Sequence, residues 1–186
     1  MVQDEDELSR ISLTQNDALY RSKRPREAET FLVHLPPAPI LEELVKIFFT
    51  EYDWQYLTAE KYYFDELYRC WRTTEPPPLL HLTRQEATQE LRYFPGLLFQ
   101  IAALAIQVMP QDASVLSRMT EDQLRSAQRY SDIGMEFMEV SRRHGFALTA
   151  VQATILRCSW LKNIGRSVNS WHELSAAIRL AVNSTL

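Results

Sequence analysis

The residues able to do chemistry in this chain are few and scattered. Its four histidines are His34, His81, His144 and His172, and its two cysteines are Cys70 and Cys158. No two histidines lie one helical turn apart, the spacing that puts two imidazoles on one helix face for a zinc ion. Two thiols are too few for a Cys-rich cluster. Both fall in helical patterns beside tryptophans, Trp71 and Trp160, where a buried free thiol is expected, and unpaired buried thiols fit a reducing compartment. Asp65 and Glu66 are adjacent, so a helix turns them to different faces and they make no carboxylate pair for general acid–base work. No Gly-x-Ser-x-Gly nucleophile turn, phosphate loop or dinucleotide fingerprint occurs. Glycine itself is scarce, at Gly96, Gly134, Gly145 and Gly165. The sequence therefore predicts no catalytic residue, no bound cofactor and no metal ligand: a protein that is not an enzyme.

Charge points the same way. The formal net charge of -4 supplies no global basic field for nucleic acid. The distribution is uneven, with Asp4, Glu5, Asp6 and Glu7 at one end and Arg142, Arg143, Arg157, Lys162, Arg166 and Arg179 in the last third. Such a basic half reads as a solvated face. Arg21, Lys23, Arg24 and Arg26 form a short basic cluster around Ser22 and Pro25, which suits either a nuclear import signal or a charged linker. The start, MVQDEDELSR, is acidic and unlike a secretory signal. The longest apolar run, Gly96 to Met109, is interrupted by Gln100 and Gln107 and reads as too short to span a bilayer. The expectation is a soluble intracellular protein with no membrane partner.

The elements that must position these residues are helical. Residues 1–31 have few large apolar side chains and no sustained period, and read as a disordered or loosely ordered arm. Residues 32–186 carry the domain, with an apolar content of 46% for the whole chain, near the globular average. After Pro36, Pro37 and Pro39, apolar residues recur at helical spacing from Ile40 to Tyr52, with Glu42 and Glu43 in the expected first turn. Thr58 reads as the cap of a second helix with an aromatic face of Tyr62, Tyr63, Leu67, Cys70 and Trp71. Pro76, Pro77 and Pro78 end that unit. Thr83 and Glu86 make a capping box, and Pro95-Gly96 is expected to break or kink the helix that follows. Leu97 to Val108 is apolar almost all round and reads as the buried central helix. Thr120 opens a long helix stopped by Arg142-Arg143-His144-Gly145, and Thr149 starts the next.

The chain then reads SWHELSAAIRLA over residues 170–181. Ser170 and Glu173 look like a second capping box. Trp171, Leu174, Ile178 and Ala181 form an apolar stripe that asks for a neighbour, and Ala176, Ala177 and Ala181 would let a helix approach closely. No convincing strand appears. Six to seven helices joined by short loops predict an all-α, irregular multi-helix domain of antiparallel-packed helices. A tetratricopeptide-like fragment near Ala127 has no second copy at a fixed period, so a repeat array is not expected.

The stretch VQATILRCSWLKNIGRSVNSWHELSAAIRLA, residues 151–181, resembles the regulatory domain of fungal zinc binuclear cluster transcription factors, also called the middle homology region or fungal-specific, xylanolytic-activator type domain. The residues carrying the resemblance are Val151, Gln152 and Ala153, then Trp171, Ser175, Ala177, Ile178, Arg179, Leu180 and Ala181. Upstream, LPPAPILEELVKIFFTEYDWQYLTAEKYYF, FPGLLFQIAALAIQ and AQRYSDIGMEFM are similar to the family's opening, buried and following helices, in the same order.

The resemblance implies a helical module that modulates DNA-templated transcription in the nucleus. Its implied partners are proteins of the transcription machinery or a second copy of itself. In the family a separate zinc cluster binds DNA, and it needs six cysteines, which Cys70 and Cys158 do not supply. Zinc and direct DNA contact are therefore not expected here. Val182-Asn183-Ser184-Thr185-Leu186 also replaces the family's Leu-Gly-Leu exit, so the chain reads as truncated and its domain as partial. If further helices normally cover the last one, Trp171, Leu174 and Ile178 are expected to be partly bare. The alternative is a helical adaptor or protein–protein interaction domain unrelated to transcription. A small-ligand sensor would need an apolar pocket with a few polar groups, and no residue points to one.

Overall fold

Helical spacing of apolar residues becomes helix throughout the computed structural model, which describes residues 30–73, 84–119, 123–141 and 147–183; among the described residues there is no strand. In chain order the main elements are α1 (Ala38–Ile47), α2 (Lys61–Thr73), α3 (Arg84–Val108), α4 (Gln123–Ser141), α5 (Leu148–Asn163) and α6 (Ser167–Asn183). The protein is all-α. Residues 1–29 of its arm, with the cluster Arg21, Lys23, Arg24 and Arg26, the caps Thr83 and Thr120, and the stop from Arg142 to Gly145 lie outside the described residues; Phe31, at the end of the expected arm, packs edge-on against Phe137 with ring centroids 6.2 Å apart.

Pro37 precedes α1, and Pro39 sits in its first turn, where a missing N–H costs nothing. The helix starts at Ala38 rather than Ile40, so Glu42 and Glu43 fall in the second turn and do not serve the dipole as expected. They tie elements together instead. Glu42 pairs with Arg72 of α2. Glu43 accepts a hydrogen bond from Ser114 Oγ at 2.9 Å and lies 3.8 Å from Arg118. Beyond Ile47 the coil widens, and the Asp53 N–H reaches back to the Phe48 carbonyl. That wide turn buries Phe48 and Tyr52 together, with ring centroids 5.7 Å apart.

Asp53 organises the link to α2. Its buried Oδ1 accepts from the backbone N–H groups of Thr58 at 3.0 Å and Ala59 at 3.2 Å. Thr58 is thus held by a cap rather than being one. Glu60 caps α2, accepting from Tyr62 N at 2.9 Å and Tyr63 N at 2.6 Å, while its carbonyl takes the Phe64 N–H. Phe64, Leu67 and Cys70 face the core. Tyr62 is exposed, contrary to its expected place on the aromatic face, because two residues round a helix point nearly opposite ways.

The centre is α3. Pro95 lies inside it, and the helix runs on for 25 residues without the expected break. Proline in a helix interior costs about 3 kcal/mol. Burying one Leu, Ile or Phe side chain contributes about 1.5–3 kcal/mol, and every residue from Tyr93 to Ile106 is buried. Packing outweighs the local defect. The adjacent Gly96 serves a helix crossing. A Cβ added to Gly134 of α4 would lie 2.8 Å from Phe99 Cβ and 3.4 Å from the Gly96 carbonyl, and one on Gly96 would meet Met138 Cγ at 2.8 Å. The two glycines let α3 and α4 approach closely. Because α3 is continuous, Gln85–Val108 is long and apolar enough to cross a bilayer, which corrects the shorter run read from sequence. However, 83% of its apolar window is buried inside the protein, as in the core helix of a globular fold.

The start of α5 is fixed from α3. Glu90, buried, accepts from the backbone N–H groups of Leu148 at 2.7 Å and Thr149 at 2.9 Å, and Thr149 Oγ1 donates to the Glu90 carbonyl. Thr149 is therefore inside the helix it was expected to cap. α5 packs against both α3 and α6, so its buried positions run round the helix, from Ala150 to the fully buried Trp160.

Candidate interaction surface

The exposed helix α6 begins where α5 ends. Gly165 takes a left-handed conformation, φ +79°, which glycine adopts without a Cβ penalty. Its N–H bonds the Lys162 carbonyl at 3.0 Å and the Arg166 N–H bonds the Leu161 carbonyl at 2.9 Å, a Schellman ending that reverses the chain. The turn is tight enough for α6 to start at Ser167, one turn before Ser170. Ser170 N already bonds the Arg166 carbonyl. Ser170 and Glu173 therefore do not form the expected capping box. Ser170 Oγ donates instead to the Cys158 carbonyl at 2.8 Å and pins α6 to α5.

The side of α6 facing α5 is built from small or half-buried residues. Ala177 is buried, and Ser170, Glu173, Ala176 and Leu180 are half-buried. Burial pushes the Cys158 thiol of α5 up to about 11, with the Glu173 carboxylate adding to the shift. Cys158 is thus held as an inert thiol.

The other side is apolar and open. Val168 is 71% exposed, Trp171 68%, Leu174 37%, Ile178 57% and Val182 55%. Ala181 is exposed beside them. Scattered exposed apolar residues are ordinary, whereas a continuous stripe on one helix marks an interaction surface. The residues of the predicted stripe, Trp171, Leu174, Ile178 and Ala181, are brought onto this open side, and Ala177 alone of the alanine set is fully packed. Sequence reading missed Val168, which precedes the supposed cap.

Beneath this surface, a polar chain joins three helices. Gln100 Nε2 of α3 donates to the Ser131 carbonyl of α4 at 2.9 Å, and Ser131 Oγ donates to Gln100 Oε1 at 2.8 Å. Arg157 of α5 donates to Ser131 Oγ and, at 2.8 Å, to Asp132 Oδ1. Its guanidinium lies 4.9 Å from the centroid of the Trp160 ring. Apart from the Arg157 Nε, which is buried with no hydrogen-bond partner among the described residues, the network's donors and acceptors face one another, so it sets helix register.

A second group of exposed apolar residues lies on the link before α2 and in its first turn: Trp54, Tyr56, Leu57 and Tyr62. Leu57 has φ 47°, a conformation unusual for a branched side chain, fixed by its N–H to the Asp53 carbonyl at 2.7 Å and by the Asp53 side chain. The Trp54 indole is engaged internally, donating to the Glu51 carbonyl at 3.1 Å. Only the run of aromatics in DWQYLTAEKYY hinted at this group.

The two described histidines, His34 and His172, do not converge. His34 Nδ1 is 3.3 Å from an Arg129 nitrogen, His172 is exposed on α6, and His81 and His144 lie outside the described residues. Cys70 and Cys158 are buried and are not joined by a disulfide. Among the described residues no three metal-ligating side chains gather. Comparison with protein-family models, curated proteins and solved structures gave no match to this chain.

Proposed function

We propose that this chain is a regulatory interaction module of a nuclear transcription regulator of the fungal zinc-cluster kind; its two cysteines do not supply the six that a zinc cluster needs. The observation that carries the reading is the open apolar face of α6, the helix that holds the Trp171–Ala181 part of the resemblance. The helix that holds Val151, Gln152 and Ala153 lies directly against it, so the most specific stretch of the resemblance forms one helical hairpin. In this reading α5 presents α6, and α6 receives a protein partner. DNA is reached only through a zinc cluster carried elsewhere, and the chain performs no catalysis.

The test is a reporter assay in a fungal cell. The full chain, fused to an unrelated DNA-binding domain, is expected to change transcription several-fold relative to that domain alone, and Trp171→Glu or Ile178→Glu to abolish the change. A nuclear fusion that leaves the reporter unmoved refutes the transcriptional role, and the adaptor alternative then takes its place.

A further inference from the structure

We infer that the occupant of the α6 face is a second copy of α6, packed antiparallel; this rests on reading that face as a docking surface. Val168, Trp171, Ser175, Ile178 and Val182 recur with spacings of three and four, the seam of a two-helix coil. The opposite side, through Ser170, Glu173, Ala177 and Leu180, is engaged with α5. The seam faces away from that contact and can meet a copy without disturbing the fold.

Side-chain size sets the orientation. A parallel pair would place the two Trp171 rings at the same level and the two Ser175 side chains together, one layer overfilled and the next empty. An antiparallel pair sets Trp171 against Val182 and Ser175 against Ile178 of the other copy, so large meets small twice over by symmetry. Ser175 suits this position because its hydroxyl already donates to the Trp171 carbonyl at 3.0 Å, leaving no unmet donor to bury.

Charge agrees. The exposed polar residues flanking the seam are His172 and Arg179. Antiparallel packing keeps the two Arg179 side chains about five residues apart along the axis, roughly 7 Å, where parallel packing would place them level. Area agrees as well. In this register Trp171, Leu174, Ile178 and Val182 carry the contact; they offer on the order of 400 Å² per copy, so two copies bury roughly 800 Å², the size of a weak, transient interface. A contact of that size suits a weak, reversible dimer, and the concentration range that tests it centres on about 10 µM.

The experiment uses the full chain, with light scattering across two decades of concentration around that value. A monomer–dimer equilibrium is expected, and Ile178→Glu should weaken it by about a hundredfold or more, as for a central interface residue, with an unchanged helical circular dichroism spectrum. The double variant Ser175→Cys, Ile178→Cys should form a covalent dimer on mild oxidation, with 175-to-178 cross-links by peptide mapping and little cross-linking in either single variant. A monomer at the highest concentration, a dimer indifferent to Ile178→Glu, or cross-links joining 175 to 175 overturns the antiparallel pair. If the wild type is monomeric while the reporter still responds to Ile178→Glu, the second copy is wrong as occupant and the docking face stands. If both fail, the reading of the face fails with it.

Discussion

The helices α3 and α6 are both rich in apolar residues, and the protein treats them oppositely. In α3 every residue from Tyr93 to Ile106 is buried, whereas in α6 only Ala177 is. The difference lies in the number of neighbours. α3 meets α1, α2, α4 and α5, while α6 packs chiefly on α5. Burial in α3 is strong enough to carry a helix through Pro95. In α6 the larger side chains point away from the fold and contribute little to holding it together. One region is organised for stability and the other is proposed for contact, and substitutions should separate the two.

The largest effect belongs to the core. Trp160→Ala removes a fully buried indole beneath the Arg157 guanidinium and should cost about 3–5 kcal/mol, measured as a lowered urea midpoint. Its indole N–H has no hydrogen-bond partner among the described residues, so Trp160→Phe should cost much less. A loss for Trp160→Ala no larger than that of a surface residue would break the comparison.

Next comes the α3–α4 crossing. Gly134→Ala drives a methyl into Phe99 Cβ, an atom that cannot move without its backbone. The expected cost is about 1–3 kcal/mol, reduced by up to about 1 kcal/mol of helix propensity. Gly96→Ala meets the Met138 thioether instead, which can swing aside, and should cost less. Equal costs would show that the crossing is not set by Gly134.

Glu90→Ala leaves the Leu148 and Thr149 amides without their acceptor. A loss of about 1–3 kcal/mol is expected, with hydrogen exchange at those two amides rising more than at the centre of α5.

Cysteine chemistry sharpens the contrast kinetically. α6 packs chiefly on one helix, and Cys158 at the α5–α6 contact is 7% exposed against 1% for Cys70 of α2, so Cys158 should alkylate faster as α6 opens. With a thiol pKa near 11, thiolate in the closed state rises tenfold per pH unit below that value. Any closed-state contribution to the rate should therefore grow as pH rises. Faster labelling of Cys70 would reverse the predicted order of opening.

The smallest effect on folding is expected on the open face. In the monomer, Trp171→Glu and Ile178→Glu should change stability by no more than about 0.5 kcal/mol, although the same variants should abolish association. A large folding penalty would mean that α6 is held by its apolar stripe after all.

Much of this was legible in the sequence. Periodicity placed the helices, and the stripe Trp171, Leu174, Ile178 and Ala181 was visible as a stripe. Helix starts were read less well: two turn on which of several neighbouring residues ends or caps the turn, and one is capped from far away in the chain. Glu60, not Thr58, satisfies the first amides of α2. The cap of α5 comes from Glu90, far away in the chain. The Schellman turn at Gly165 starts α6 before the serine that resembled its cap.

What the sequence determined by itself was the class of fold and the identity of the residues available for contact, since helical spacing is a local property of the chain. Tertiary structure decided that Pro95 is carried inside a helix, that Gly96 and Gly134 make a crossing, and that α6 turns Ala177 inward and Trp171 outward. These outcomes depend on which distant side chains share the same space, and burial free energy is settled only when those neighbours are in place.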